Sequence, residues 1–154
     1  MNAFRLGISP AIRLGISSPY CRRYGVRSFS NATTTTTRIG VDDPRMSRIV
    51  IHNNIVYISG QTDTSADDIE GQTLNTLKKV DDLLAEAGTS KSELITASIW
   101  LKNIEKDFHS MNAIWSGWVD PENKPVRATV EANMARPQIL VEIQVTAALR
   151  NESD

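Results

Sequence analysis

Residues Pro125–Val145 read PVRATVEANMARPQILVEIQV, a stretch that holds two runs in which apolar and polar residues alternate. Side chains of a strand point to opposite faces in turn, so Val126–Ala132 and Leu140–Leu149 read as strands. In the first, Val126, Ala128, Val130 and Ala132 make an apolar row expected to pack under helices, and Arg127, Thr129 and Glu131 make the other. In the second, Val141, Ile143 and Val145 form the inward row, and Glu142, Gln144 and Thr146 the outward one. By this parity, Arg127 and Glu142 project from the same uncovered side of one sheet.

Upstream, Arg48–Ile51 and Ile55–Ser59 are β-branched and aliphatic runs around His52-Asn53-Asn54, the pattern of a β-hairpin. Ser65-Ala66-Asp67-Asp68 resembles a capping box with Asp in place of Glu or Gln. Ile69, Thr73, Leu74, Leu77, Val80, Leu84 and Ala87 then recur at helical spacing, and Gly88 supplies a C-terminal cap. Leu94–Leu101 is a further strand, with Ile95, Ala97, Ile99 and Leu101 on one face. Asp107 is expected to cap a shorter helix whose inner stripe is Phe108, Met111, Ile114, Trp115 and Trp118.

The predicted order is β-β-α-β-α-β-β: a two-layer α+β domain with a single mixed sheet and both helices on one face. The other face either meets water or is buried against copies of the chain. By parity it carries Trp100, Leu94, Ser98 and Val56 or Ile58 beside Arg127 and Glu142, a mixture suited to a subunit interface enclosing a polar pocket. A solvated sheet face is the competing reading.

The chain has 154 residues, 40% of them hydrophobic, enough for one domain once a tail is set aside. Residues 1–29 hold Arg5, Arg13, Arg22, Arg23 and Arg27 and no acid, the composition of an organelle transit peptide. Arg27-Ser28-Phe29-Ser30 resembles an arginine-proximal mitochondrial cleavage site, which places the mature start near Ser30. A plastid destination is the alternative, and a basic arm for nucleic acid or acidic lipid is a third reading. Residues 30–44, including the threonine run, are expected to be a disordered linker, with the folded domain at 45–150.

Five of the 17 basic side chains and none of the 18 acids lie in residues 1–29, so the remainder carries 12 against 18, a formal −6. Such a domain is not a polyanion binder by bulk charge, and no nucleic-acid partner is expected. The single cysteine, Cys21, lies in the tail, so the domain lacks a thiol. With only His52 and His109 besides, neither a metal site nor a histidine-based triad is expected. No run approaches the ~20 apolar residues of a membrane-spanning helix. Phosphate loops, dinucleotide fingerprints and nucleophile elbows are also absent.

Four segments together resemble the Rid/YjgF family. They are Tyr57-Ile58-Ser59-Gly60-Gln61, Phe108-His109-Ser110-Met111-Asn112, Pro125–Glu131 and Val141-Glu142-Ile143, which span nearly all of residues 46–149. Leu84-Ala85-Glu86-Ala87-Gly88 and the Trp115–Trp118 segment look most like its YoaB-like branch. The resemblance implies a chorismate-mutase-like chain assembled as a homotrimer, sheets inward as a barrel and helices outside. It also implies intersubunit clefts that bind small carboxylates and, in active members, hydrolyse enamines and imines to 2-keto acids and ammonia without a cofactor.

Carried over by position, Arg127 matches the arginine that holds the substrate carboxylate, and Glu142 the acid that positions or activates water. Ser59, Asn112 and Thr129 match positions at the pocket, although Asn112 is equally readable as a brace for a loop. Three departures accompany the match. Met46 stands where deaminating members usually carry a tyrosine, Thr129 where many relatives have cysteine, and Gln144 where they have a second glutamate.

Overall fold

A computed structural model describes residues 35–150 of the chain, so the transit-peptide reading of residues 1–29 lies outside the described region. The elements are β1 (Thr36–Ile39), β2 (Ile49–His52), β3 (Ile55–Ile58), α1 (Ile69–Glu86), β4 (Leu94–Leu101), α2 (Ile104–Trp118), β5 (Val126–Glu131) and β6 (Val141–Ala148). They build one six-stranded mixed sheet in the order β1-β2-β3-β6-β4-β5, with α1 and α2 packed together on one face. The β4–β5 pair is parallel and every other pairing antiparallel.

Local chemistry accounts for most of these elements. The β2–β3 hairpin closes through Asn53 and Asn54, whose φ values of 51° and 61° are the left-handed pair that a two-residue hairpin turn requires. Asparagine tolerates that region better than most side chains. The α1 helix ends at Gly88, where φ is 80°. Its start is capped by Asp68, whose carboxylate accepts from Gly71 N at 2.7 Å, rather than by Ser65. Ser65 is drawn instead to the Asp63 carboxylate.

The core lies between the helices and the covered face of the sheet. Leu77, Val80 and Leu84 of α1 and Met111 and Trp115 of α2 meet Val56, Ile58, Ala97, Ile99, Leu101, Val141, Ile143 and Val145. Each large aliphatic side chain buried there contributes about 1.5–3 kcal/mol. A polar strut crosses this layer. Gln72 is 1% exposed; its Nε2 donates to Ala66 O and Gln138 O, and its Oε1 accepts from Leu140 N, each at 2.9 Å. It ties the loops before α1 and before β6 to the helix.

Several expectations from the sequence are corrected. Thr36–Ile39 lies within the segment expected to be a linker, yet it forms a strand in register with β2, adding one element to the order. Its Thr36 Oγ1 lies 2.8 Å from His52 Nδ1. The inner stripe of α1 is turned toward Gln72 and Thr76, which leaves Leu74 58% exposed. Asp107 does not cap α2, because Asn103 does so from one turn earlier, and Asp107 is buried within the helix. A bulge between Leu94 and Thr96 shifts the start of β4, so Leu94 is buried and Ile95 exposed, the reverse of strict alternation. Val56 and Ile58 both face the core, and Tyr57 takes the open face in their place.

Candidate functional site

The residues singled out in the sequence fall into two groups, one on each side of the sheet. This corrects the inference that Arg127 and Glu142 share a face. Arg127 is in register with Ala97, and Thr129 with Ile99, both buried under the helices. Glu142 is in register with Trp100, whose neighbours Ile99 and Leu101 point into the core, so Glu142 and Trp100 stand on the open face. The rule that apolar rows pack inward failed because β5 is an edge strand. Its helix-side positions reach the rim of α2, where charged side chains remain solvated. Its apolar row, with Val126 71% and Val130 47% exposed, lines the open face.

On the helix side, α2 carries Asn112, Trp115 and Ser116, and the connection to β5 carries Pro121 and Lys124. Together with Val119 and Arg127 they enclose a cleft of about 470 Å³. The Arg127 guanidinium lies over the Trp115 ring, 5.2 Å from its centroid, a cation–π contact that orients the planar fork. Arg127 is exposed as a residue, yet its guanidinium is crowded enough by the cleft wall for desolvation to pull its pKa below the ordinary value. An arginine stays protonated regardless. No described residue forms an ion pair or hydrogen bond with this guanidinium. Thr129, one step further along the same face, has a buried Oγ1 without a partner.

On the open face, Glu142 lines a smaller cleft of about 240 Å³ with Trp100, Ala132, Asn133 and Met134. The Ser59–Gln61 segment passes beside Glu142, with Gly60 against its carboxylate. Gln61 exchanges both backbone hydrogen bonds with Ile143, at 2.8 and 3.0 Å, and its Nε2 donates to Ser59 O and Ser59 Oγ. Because Ser59 Oγ accepts there, its own proton is free for another acceptor. A Cβ on Gly60 would lie 2.0 Å from Glu142 Oε1, so the bare glycine leaves the carboxylate its present position. The Glu142 carboxylate has no hydrogen-bond or ion-pair partner among the described residues.

The structure thus brings Arg127 and Asn112 together, with Thr129 one step along the same face, and Glu142 together with the Ser59–Gly60 segment, but it does not unite the two sets within one copy. Reading the sequence missed three contributors. Trp115 was assigned to the core alone, although its spacing from Asn112, three residues along one helix, places both on one face. Lys124 and Met134 lie in irregular segments that give no periodic signal. No cluster of three or more His, Cys, Asp or Glu is placed to hold a metal among the described residues, and none of their helices is long and apolar enough to cross a membrane.

Comparison with known proteins agrees with this architecture. Residues 42–149 match the family described as endoribonuclease L-PSP. A RutC family protein of Haemophilus ducreyi is 42% identical over 118 residues, covering 75% of this chain and 98% of that one. The RutC family protein YoaB of Escherichia coli K12 is 39% identical over 115 residues, with coverages of 75% and 99%. Among solved structures, a YjgF family protein of Neisseria meningitidis superimposes with a TM-score of 0.73 at 35% identity, over 76% of this chain and 97% of that one.

Proposed function

The chain belongs to the endoribonuclease L-PSP family, the Rid/YjgF group with its YoaB-like members, and on that premise we propose that it hydrolyses reactive 2-imino and 2-enamino acids to 2-keto acids and ammonia. The observation that carries this reading is the state of Arg127. It is a guanidinium of an exposed edge-strand residue that lies over the Trp115 ring, opens on a cleft and has no internal carboxylate. A cation held in this way is prepared for an anion from outside, and its fork suits a carboxylate through two parallel hydrogen bonds.

The reacting site lies between copies of the chain. Arg127, Asn112 and Thr129 of one copy face Glu142 and Ser59 of a neighbour across a closed assembly, a homotrimer. Two features support this: the opposite faces taken by Arg127 and Glu142, and the exposed Tyr57, Val126 and Val130 on the open sheet face, an apolar surface suited to burial against another copy. With its carboxylate on Arg127, the substrate presents its C=N carbon to a water. Glu142 accepts a proton as that water adds, and the nitrogen is protonated. The carbinolamine then expels ammonia and leaves the keto acid. An imine is already electrophilic, so orientation and proton transfer suffice and no cofactor is invoked. Import into the mitochondrial matrix, with the plastid as alternative, belongs to the same proposal and is supported by the acid-free arginine-bearing residues 1–29.

One observation favours a second reading, a carboxylate-binding trimer without turnover: Met46, 49% exposed, stands where the resemblance places a tyrosine. A ribonuclease or translation inhibitor is disfavoured by the acidic balance of residues 30–154. The deciding experiment follows ammonia release from 2-iminobutyrate and 2-iminopropionate generated in situ. Acceleration by the wild type that is lost in Arg127→Ala supports hydrolysis. No acceleration of either imine rejects it for these substrates, and equal rates in both proteins remove Arg127 from the mechanism.

A further inference from the structure

The Arg127 cleft contains a second cation that the reaction above does not use. Lys124 lies three residues before Arg127, in the segment joining α2 to β5, and both line the same 470 Å³ space. That lining includes two cations, the neutral polar side chains of Asn112 and Ser116, and no Asp or Glu. Neither cation is in an ion pair with a described residue. The Lys124 ammonium donates to Pro121 O, which leaves two of its three protons uncommitted.

Residues 30–154 carry 18 acids against 12 bases, so an acid-free cleft with two cations runs against the mean charge of the domain. Such a local reversal concentrates ligands of opposite sign. The two cations also differ in kind. Arg127 is a planar fork that lies over the Trp115 ring, and it suits a carboxylate at a set position. Lys124 is a point charge on a flexible stem, which suits a second anionic group at variable reach. A monocarboxylate on Arg127 leaves Lys124 without a counter-ion.

We propose that this cleft selects dianionic substrates: short 2-imino dicarboxylates, with the α-carboxylate on Arg127 and the distal carboxylate on Lys124. The proposal names the substrate class of the same site and rests on the reading of Arg127 as its carboxylate anchor. Reactions that oxidise acidic amino acids at the α-carbon, or that eliminate a β-substituent from them with retention of the nitrogen, would supply such imines. Hydrolysis consumes one water and yields the corresponding keto diacid and ammonia.

Binding tests this independently of turnover. The full chain is titrated calorimetrically with 2-oxoglutarate and with 2-oxobutyrate, stable keto acids of each charge class, in the wild type, Lys124→Gln and Arg127→Ala. The wild type is expected to hold 2-oxoglutarate about tenfold more tightly, the effect of one added charge-assisted contact. In Lys124→Gln that ratio falls to about one, and in Arg127→Ala both ligands are lost. Equal affinities in the wild type, or a ratio that survives Lys124→Gln, overturn the dianion proposal while leaving the Arg127 reading in place. Retention of 2-oxoglutarate by Arg127→Ala overturns both. A tenfold preference found in a protein that hydrolyses no imine supports the dianion cleft and rejects only the catalysis.

Discussion

Arg127 and Glu142 leave the sheet on opposite faces, Arg127 in register with buried Ala97 and Glu142 with Trp100 on the open side. Two strand spacings and three residues along the strands separate their backbones by roughly 14 Å, with the side chains diverging. A small carboxylate held by one of them in a single copy is out of reach of the other.

If the two groups serve one site from neighbouring copies, inactive variants should rescue each other. Arg127→Ala and Glu142→Ala are each expected to lose imine hydrolysis. After subunit exchange in an equal mixture, about a quarter of wild-type activity should return, since a quarter of the clefts then receive both intact residues. Ammonia release before and after exchange measures this. No recovery in assemblies shown to have exchanged would place both groups in the site of one copy.

The contact between Gly60 and Glu142 predicts a loss of rate without loss of fold. In Gly60→Ala, the new methyl group displaces Glu142 Oε1, the end of a side chain that can move aside. The carboxylate then shifts by about an ångström or more, enough to cost on the order of 100-fold in kcat. The thermal midpoint should change little, and a collapsed midpoint would show that the clash falls on the backbone instead.

Gln72 joins α1 to two loops through three hydrogen bonds to backbone groups. Gln72→Leu is similar in size but leaves those carbonyls and the Leu140 amide without a partner. The expected cost is about 2–4 kcal/mol, read from the urea midpoint. A loss below about 0.5 kcal/mol would mean that water replaces the strut.

Asp63 is held well below the usual carboxylate range, first by Lys79, whose ammonium lies 2.7 Å away, and then by Ser65 and Asn75. A depressed folded-state pKa contributes stability above the unfolded value, about 3.9, and that contribution is lost as pH falls through the folded value. Wild-type stability should therefore fall between about pH 5 and pH 2 more steeply than that of Asp63→Asn, which has no proton to take up there. Urea midpoints across that range measure the difference. Parallel curves for the two proteins would assign the acid sensitivity to other carboxylates.

The elements most legible in the sequence were those specified by local chemistry. Strand β4 was bounded by its apolar run, the hairpin by Asn53-Asn54, and the end of α1 by Gly88. Features that depend on a neighbour were less legible. β1 is a strand because β2 offers it an edge, and its threonine-rich sequence carries no apolar face of its own. Leu94 and Ile95 exchanged places because of a bulge against β6, which alternation within β4 does not reveal. Of the site residues, Arg127 and Glu142 were identified by motif, whereas Trp115 and Lys124 became visible only as walls of the cleft.

By itself, the sequence determined the α+β class, the period and approximate span of the major helices and strands, and the presence of Arg127 and Glu142 on alternating strands. These follow from side-chain periodicity and turn chemistry, which act over a few residues. Which face each strand row occupies was decided only by the tertiary structure, because a single residue of register exchanges the two faces of a strand. For β5, pairing with β4 and the rim of α2 placed Arg127 over Trp115 and left the apolar row of Val126 and Val130 outward.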